Sequence, residues 1–352
     1  MDYSLASAIF TACTVSALTT WAVTPAVIEL ARKWKLIDDP RKRYHPAHTH
    51  TGKIPRAGGL AIFIGILLAT LVLIPLSSVY VSALLASTIL VAVGLLDDRR
   101  DVNPYLRLLV NAAAVFIVIL FGTRVPFITN PITGGTIVFS DLLSKLVAFV
   151  WILWTVNIIG WSSGVDGQMP GFVAISAAVL GLLSLRYSVT DPKQVSVTIF
   201  AFIVAGAFTG FIPWNFYPQK IMPGYGGKTL AGLLLGMLGV LSYGKLGTAL
   251  LVLGIPTIDA ISILIRRFAK HKSPVRPDRE HLHHKLLEAG WGRRRIALFY
   301  WGVSAILGVV ALTVTSQQKL FAFLLITVGI GGLLLWINFF SRFSKRQDLD
   351  SG

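Results

Sequence analysis

Charge is scarce in this sequence. Asp, Glu, Lys and Arg make up 14% of its 352 residues and apolar residues 54%, whereas soluble domains carry about 25% charged residues. Mean hydropathy is +0.71. A chain so poor in charge cannot clothe a water-facing surface, which excludes the two or three soluble domains its length would otherwise allow. Cysteine is nearly absent: Cys13 has no second thiol to pair with, so a disulfide framework is excluded. Acidic residues are few, 16 against 32 Lys and Arg, for a net charge of +16. Such an excess can mark a nucleic-acid binder, but here the basic residues fall between apolar runs and form no single face, so no nucleic-acid partner is expected. The N-terminus also lacks a basic region ahead of its first apolar stretch, unlike a cleavable signal.

What the chain does have is apolar runs. A helix needs about 20 apolar residues to cross the hydrocarbon core, and runs of about that kind recur at about 4–30, 57–76, 79–96, 104–121, 142–160, 170–186, 195–212, 229–243, 246–265, 296–315 and 320–341. The expected fold is therefore all-α, one polytopic membrane domain over 1–352 with about 11 transmembrane helices. Lys and Arg are retained on the cytoplasmic side. Alternate connections hold 26 of them (eight in 31–56, three in 97–107, two in 213–228, ten in 266–295, three after 341), against six on the opposite side. This alternation predicts an outer N-terminus, an inner C-terminus, and cytoplasmic loops at about 31–56, 97–104, 161–169, 213–228 and 266–295. Gly134-Gly135 between short β-branched runs predicts a small outer hairpin within 122–140. No internal repeat or low-complexity tract is visible.

The dense polar clusters all fall on the inner side, where carboxylates at a membrane edge are costly unless paired or used. GLLDDRRD places Asp97, Asp98 and Asp101 where a helix emerges. Adjacent carboxylates favour a divalent cation or a proton, and hard oxygen ligands suit Mg²⁺; a charge cluster neutralised by Arg99 and Arg100 is the plainer alternative. NIIGWSSGVDGQMPG, residues 157–171, sets Asn157 and Asp166 where a helix breaks into Gly, Ser and Pro, a pattern that an ordinary turn shares. In NFYPQKIMPGYGGKT, residues 215–229, Gly224, Gly226 and Gly227 suit an anion nest with Lys220 and Lys228, or simply a flexible connection. It is no Walker A loop, since Met222 stands where glycine is needed. SPVRPDREHLHHKLLEAGWGRRR, residues 273–295, carries His281, His283 and His284 with Asp278 and Glu280. Without cysteine or HExxH spacing, zinc is disfavoured against a polar wall donating to phosphate or sugar oxygens, and Arg293–Arg295 suit a lipid anchor. GKIPRAGGLAIF, residues 52–63, offers Lys53 and Arg56 to a phosphorylated ligand or to the positive-inside rule equally well.

Taken together and in order, these segments resemble the polyprenyl-phosphate N-acetylhexosamine-1-phosphate transferases. The resemblance runs from about residue 38 to 292. It covers DDP, K-x-P-R-x-G-G, GLLDD followed by PYLRLL, Asn157 with the DG of 166–167, N-F-x-P-x-K-I, I-P-T-I-D ending in Asp259, and P-D-R-E-H-L-H-H-K-L-L. The H-L-H-H form is more similar to the N-acetylhexosamine branch than to the muramoyl-pentapeptide branch. The resemblance implies an enzyme of a bacterial inner membrane whose partners are a UDP-N-acetylhexosamine, a polyprenyl (undecaprenyl) phosphate and membrane lipid. Sugar-1-phosphate would pass to the lipid phosphate on the cytoplasmic face, starting a cell-envelope glycan. It further implies that Asp97 and Asp98 position or deprotonate the lipid phosphate and hold Mg²⁺. Asn157 and Asp166 would line the nucleotide-sugar pocket with Lys53 near the uracil. Asn215, Lys220 and Lys228 would bind substrate, and His281, His283 and His284 would contact sugar or diphosphate. A homodimer is left open.

The chain departs from the family pattern at Gly160, Ser163 and, above all, in the loop that normally reads G-D-x-G-S. Here Tyr225 replaces the metal-binding Asp and Lys228 replaces Ser, a swing of two charge units. Either Lys228 takes over part of the metal's work as a point charge, or the site has lost Mg²⁺ and activity, leaving a sensor or scaffold that binds polyprenyl phosphate or nucleotide sugar. A transporter is disfavoured, because transporter sites lie near the midplane.

Overall fold

A computed structural model describes residues 3–41, 49, 52–242, 245–271 and 280–350, with side chains given for these up to 333 and for 336. Asp278 lies outside the described residues. The chain is a helical bundle: α1 (Tyr3–Lys33), α2 (Gly58–Leu73), α3 (Ser78–Arg100), α4 (Pro104–Leu120), α5 (Asp141–Trp161), α6 (Gln168–Tyr187), α7 (Lys193–Asn215), α8 (Gly224–Leu241), α9 (Leu246–Val252), α10 (Gly254–Ala269), α11 (Leu282–Glu288), α12 (Arg293–Thr313) and α13 (Ser316–Asp350). Eight of these are long and apolar enough to cross a membrane, nine with α9 and α10 taken as one bent span; α2 and α4 are shorter apolar helices. Large side chains such as Phe10, Val72 and Leu142 stand more than two-thirds exposed, as a lipid-facing surface permits and an aqueous one does not.

Every apolar run coincides with a helix, but the run at 246–265 is two helices bent by 81°. Gly254 opens α10 and Pro256 sits in its first turn, where a missing N–H costs nothing but breaks the ladder from the preceding helix. The hairpin expected within 122–140 forms, with β3 (Phe127–Thr129) antiparallel to β4 (Thr136–Val138). A second small pair, β1 (Ile37–Asp38) with β2 (Ile54–Pro55), has no signal in the hydropathy pattern.

Glycine sets how closely the helices approach. On α7, Gly206 and Gly210 lie four residues apart, and a Cβ on them would meet the backbone of Cys13 at 2.2 Å and Ala17 at 2.1 Å on α1. This is small-xxx-small packing, in which backbones touch directly. Gly210→Leu is therefore expected to lower the detergent melting temperature by about 5 °C through overpacking, while Gly302→Leu, whose site is open, leaves it unchanged. Gly232 of α8 meets α5 in the same way, with a would-be Cβ 2.3 Å from the Val156 Cα.

The N-terminal end of α8 is gripped on two sides. Gly59 of α2 lies against Gly227, and Gly94 of α3 against Gly226, each with a Cβ distance of 2.3 Å were one present. The Gly58 and Gly59 N–H groups donate to the Met222 and Pro223 carbonyls at 2.9 and 2.8 Å, and a parallel bridge joins Arg56 to Met222. The ends of α2, α3 and α8 thus form one block.

Candidate functional site

The acidic residues close α3. Asp97 and Asp98 are in its last turn, 1% and 5% exposed. Arg107, in the first turn of α4, puts Nε 2.5 Å from Asp97 Oδ1 and a terminal nitrogen 2.8 Å from Asp101. Asp97 Oδ1 also accepts from the Val102 N–H, while Oδ2 is buried with no hydrogen-bond partner. Asp98 Oδ1 receives Arg56 Nε at 3.1 Å and the Tyr225 N–H at 3.1 Å. Arg56 reaches Asp38 as well, at 3.7 Å. Gly224, at φ +67, lies so close that a Cβ would sit 2.1 Å from Asp98 Oδ2; the left-handed backbone and the carboxylate both demand glycine there.

The glycine-rich segment is not a nest but the first turn of α8. This brings Lys228, one turn after Tyr225, onto the acidic block. Lys228 is half-buried. It lies in the electrostatic reach of Asp98, Asp38, Arg56, Arg107 and His283, yet no hydrogen bond or ion pair holds its ammonium among the described residues. Tyr225 points its hydroxyl to Asn111 Oδ1 at 3.2 Å, and Arg107 lies 5.2 Å over its ring.

The histidines open α11. His281 is its N-cap, and its Nδ1 stands 2.8 Å from Oδ2 of the fully buried Asp259, whose Oδ1 accepts the Leu282 N–H at 2.9 Å. A carboxylate on Nδ1 fixes the tautomer and turns Nε2 outward. The His281 and His283 rings stack at 5.6 Å, and those of His283 and His284 lie 4.3 Å apart. Burial, then the nearby His284, His281 and Lys228, hold His283 well below the usual imidazole range, so it is a neutral hydrogen-bonding group. Its Nδ1 is buried without a partner. Its Nε2 would lie 2.0 Å from a Cβ at Gly164, which carries the cluster to the loop of Asp166.

Asp166 is 2% exposed. Its oxygens accept from Gln219 Nε2 at 2.9 Å and the Gln219 N–H at 3.4 Å, with Arg293 at 3.9 Å. Asn215 is used within the fold: it accepts from the Gly167 N–H at 3.0 Å and donates to Gln219 Oε1 and the Ile221 carbonyl. Asn157 donates back along α5 to the Leu153 carbonyl and, among the described residues, makes no hydrogen bond to the other candidates. Lys53 and Lys220 lie elsewhere, in a groove of about 680 Å³ that they share with Arg32, Trp214 and Gln219. The Lys220 ammonium is 5.1 Å over the Trp214 ring. Gln219 lines this groove and grips Asp166, so the two regions adjoin.

The structure thus joins Asp97, Asp98 and Lys228 in one block and the three histidines and Gly164 in another, with Lys228 in the electrostatic reach of His283. Sequence reasoning did not single out Arg107, Asp38, Asp259 or Gln219 as site residues. All four fall in recognised segments, but their partners are set only by helix packing.

Residues 80–243 match the glycosyl transferase family 4 model. Decaprenyl-phosphate N-acetylglucosaminephosphotransferase of Mycolicibacterium smegmatis (strain ATCC 700084 / mc(2)155) is 29% identical, over 81% of this chain and 77% of its own. The protein of that name from Mycobacterium tuberculosis (strain CDC 1551 / Oshkosh) is 27% identical over 95% and 90%. Undecaprenyl-phosphate alpha-N-acetylglucosaminyl 1-phosphate transferase of Escherichia coli (strain K12) is 28% identical over 76% and 73%.

Proposed function

We infer that this chain, a divergent member of glycosyl transferase family 4, transfers N-acetylhexosamine-1-phosphate from a UDP-sugar to a polyprenyl phosphate at the cytoplasmic face of a bacterial inner membrane. The names of its relatives support a polyprenyl-phosphate acceptor and an N-acetylglucosamine donor. The observation that carries the reading is Lys228, whose ammonium has no hydrogen bond or ion pair among the described residues and lies in the electrostatic reach of Asp98, Arg56 and His283. A half-buried cation left unpaired is costly, and an incoming phosphate relieves it.

In the reaction, an oxygen of the lipid phosphate attacks the β-phosphorus of the UDP-sugar. The bond to the bridging oxygen breaks, and UMP leaves with that oxygen. Phosphoryl transfer of this kind is driven by positioning and charge neutralisation. Asp98 and Asp97 hold Arg56 and Arg107 toward the meeting phosphates, His283 donates to the sugar-phosphate side, His281, its proton held on Nδ1 by Asp259, offers Nε2 as an acceptor to a sugar hydroxyl, and Asp166 orders the loop that backs His283. Lys53 and Lys220 suit the outer, nucleotide end of the donor. The alternation of Lys and Arg along the chain supports the cytoplasmic placement of all these residues. A binding-only scaffold is not favoured, since the named relatives are transferases.

The purified full chain, given UDP-N-acetylglucosamine and undecaprenyl phosphate, is expected to release UMP and form a lipid diphosphate sugar. Absence of UMP with every common UDP-sugar would sink the transferase and leave the scaffold.

A further inference from the structure

We propose that this transferase neutralises its reacting phosphates with Lys228, Arg56 and Arg107, held by Asp98 and Asp97, in place of a divalent cation. The inference rests on the transferase reading above and specifies how its site meets phosphate.

The family resemblance implies Mg²⁺, and the residues present do not fit it. Mg²⁺ is octahedral at about 2.0–2.1 Å and is usually held by one or two carboxylates, waters and substrate phosphates, so what matters here is whether the carboxylates keep negative charge to spare for it. Asp97 Oδ1 already bears Arg107 at 2.5 Å, and Asp98 Oδ1 bears Arg56 and the Tyr225 N–H, which leaves the second oxygen of each, Asp97 Oδ2 buried without a hydrogen-bond partner, in a block that already holds three cations. The position that would bring a third carboxylate is Tyr225, a neutral phenol bonded to Asn111. Among the described residues no three His, Cys, Asp or Glu side chains gather as a ligand set. The place of a metal charge is taken by Lys228, whose ammonium acts on Asp98 and Asp38.

Charge balance points the same way. The three buried carboxylates Asp38, Asp97 and Asp98 are matched by three cations, Arg56, Arg107 and Lys228, and only the exposed Asp101 adds a further carboxylate, on Arg107, so the buried block is balanced before substrate enters. Each guanidinium is engaged by carboxylate on part of its fork and keeps further donors, and Lys228 keeps all three. A lipid phosphate is mostly a dianion at neutral pH, its second pKa being about 6. The UDP-sugar diphosphate is a dianion too. Two dianions enter and two dianions leave, so the displacement balances without moving a proton. Fixed cations that meet the non-bridging oxygens and the departing UMP oxygen supply what the transition state needs.

The test uses the purified full chain in detergent. After EDTA, UMP release from UDP-N-acetylglucosamine and undecaprenyl phosphate is expected to continue at an unchanged rate, and added Mg²⁺ gives no stimulation. In the Tyr225→Asp/Lys228→Ser double variant, Mg²⁺ is expected to stimulate roughly a hundredfold, the low end of what one preorganised charge contributes. A second measurement needs no turnover: titration with Mn²⁺ alone, read by electron paramagnetic resonance, should show no bound ion on the unaltered protein. The proposal is overturned by loss of activity in EDTA with recovery in Mg²⁺, or by one bound Mn²⁺ that Asp98→Asn removes. If no condition gives turnover, the transferase reading fails, and the Mn²⁺ titration alone then decides for or against the cation substitution.

Discussion

Asp98→Asn should lower kcat about a thousand-fold, near the upper range for removing one preorganised electrostatic group, with little loss of fold. The side chain does three things at once. It holds Arg56 Nε at 3.1 Å, accepts the Tyr225 N–H at 3.1 Å, and sets the negative field that Lys228 feels. An amide keeps the shape and one acceptor but loses the charge, so Arg56 turns toward Asp38 and Lys228 loses one of its two counter-charges. Stability falls by no more than about 2 kcal/mol, the usual cost of a compromised buried hydrogen bond, because Asp38 still neutralises Arg56 at 3.7 Å. The alternative role, a general base on the lipid phosphate, has a different signature. Raising the pH from about 6 to about 9 deprotonates the lipid phosphate unaided, since its second pKa is about 6, and would restore the variant. A positioning residue gives no such rescue, and Asp98→Glu, a methylene longer in a site that already excludes a Cβ at Gly224, should remain impaired. Full rescue at high pH would replace the positioning role with proton abstraction.

Such couplings were only partly legible in the sequence. The helices were, because a lipid solvent demands runs of apolar residues and each run coincides with a helix. The bend between α9 and α10 was not, since both halves are equally apolar and only Gly254-Ile255-Pro256 hints at it. Asp97, Asp98, Lys228 and the histidines stood out as polar islands, yet their pairings cross up to about 130 residues of chain: Asp98 with Tyr225, His283 with Gly164. No local periodicity encodes a contact of that span. Asn215 shows the opposite error. It reads as a substrate contact, whereas its amide is spent joining Gly167, Gln219 and Ile221. Gly224, Gly226 and Gly227 read as loop or nest glycines, while their work is to let α2 and α3 touch the first turn of α8.

That last point carries the second large effect. Gly94→Ala should cut kcat about a hundred-fold, the loss expected when reacting groups are misplaced by about 1 Å, while costing only about 1–3 kcal/mol of stability as overpacking. The added methyl would lie 2.3 Å from the Gly226 Cα and 2.4 Å from its nitrogen. Neither neighbour is a side chain that can swing aside, so α3 and α8 must part by about an ångström to reach ordinary contact at about 3.5 Å. Asp97 and Asp98 sit one turn beyond Gly94 on α3, and Tyr225 and Lys228 flank Gly226 on α8. Parting the helices therefore lengthens the Asp98–Tyr225 bond and carries Lys228 off its counter-charges, although no site residue is changed. The comparison is Gly302→Ala on α12, where a Cβ meets nothing within 4 Å and both activity and melting temperature should hold. If Gly94→Ala keeps full turnover with its melting temperature lowered, the register of α3 on α8 does not govern the chemistry, and the cations are positioned from α2 and α4 alone.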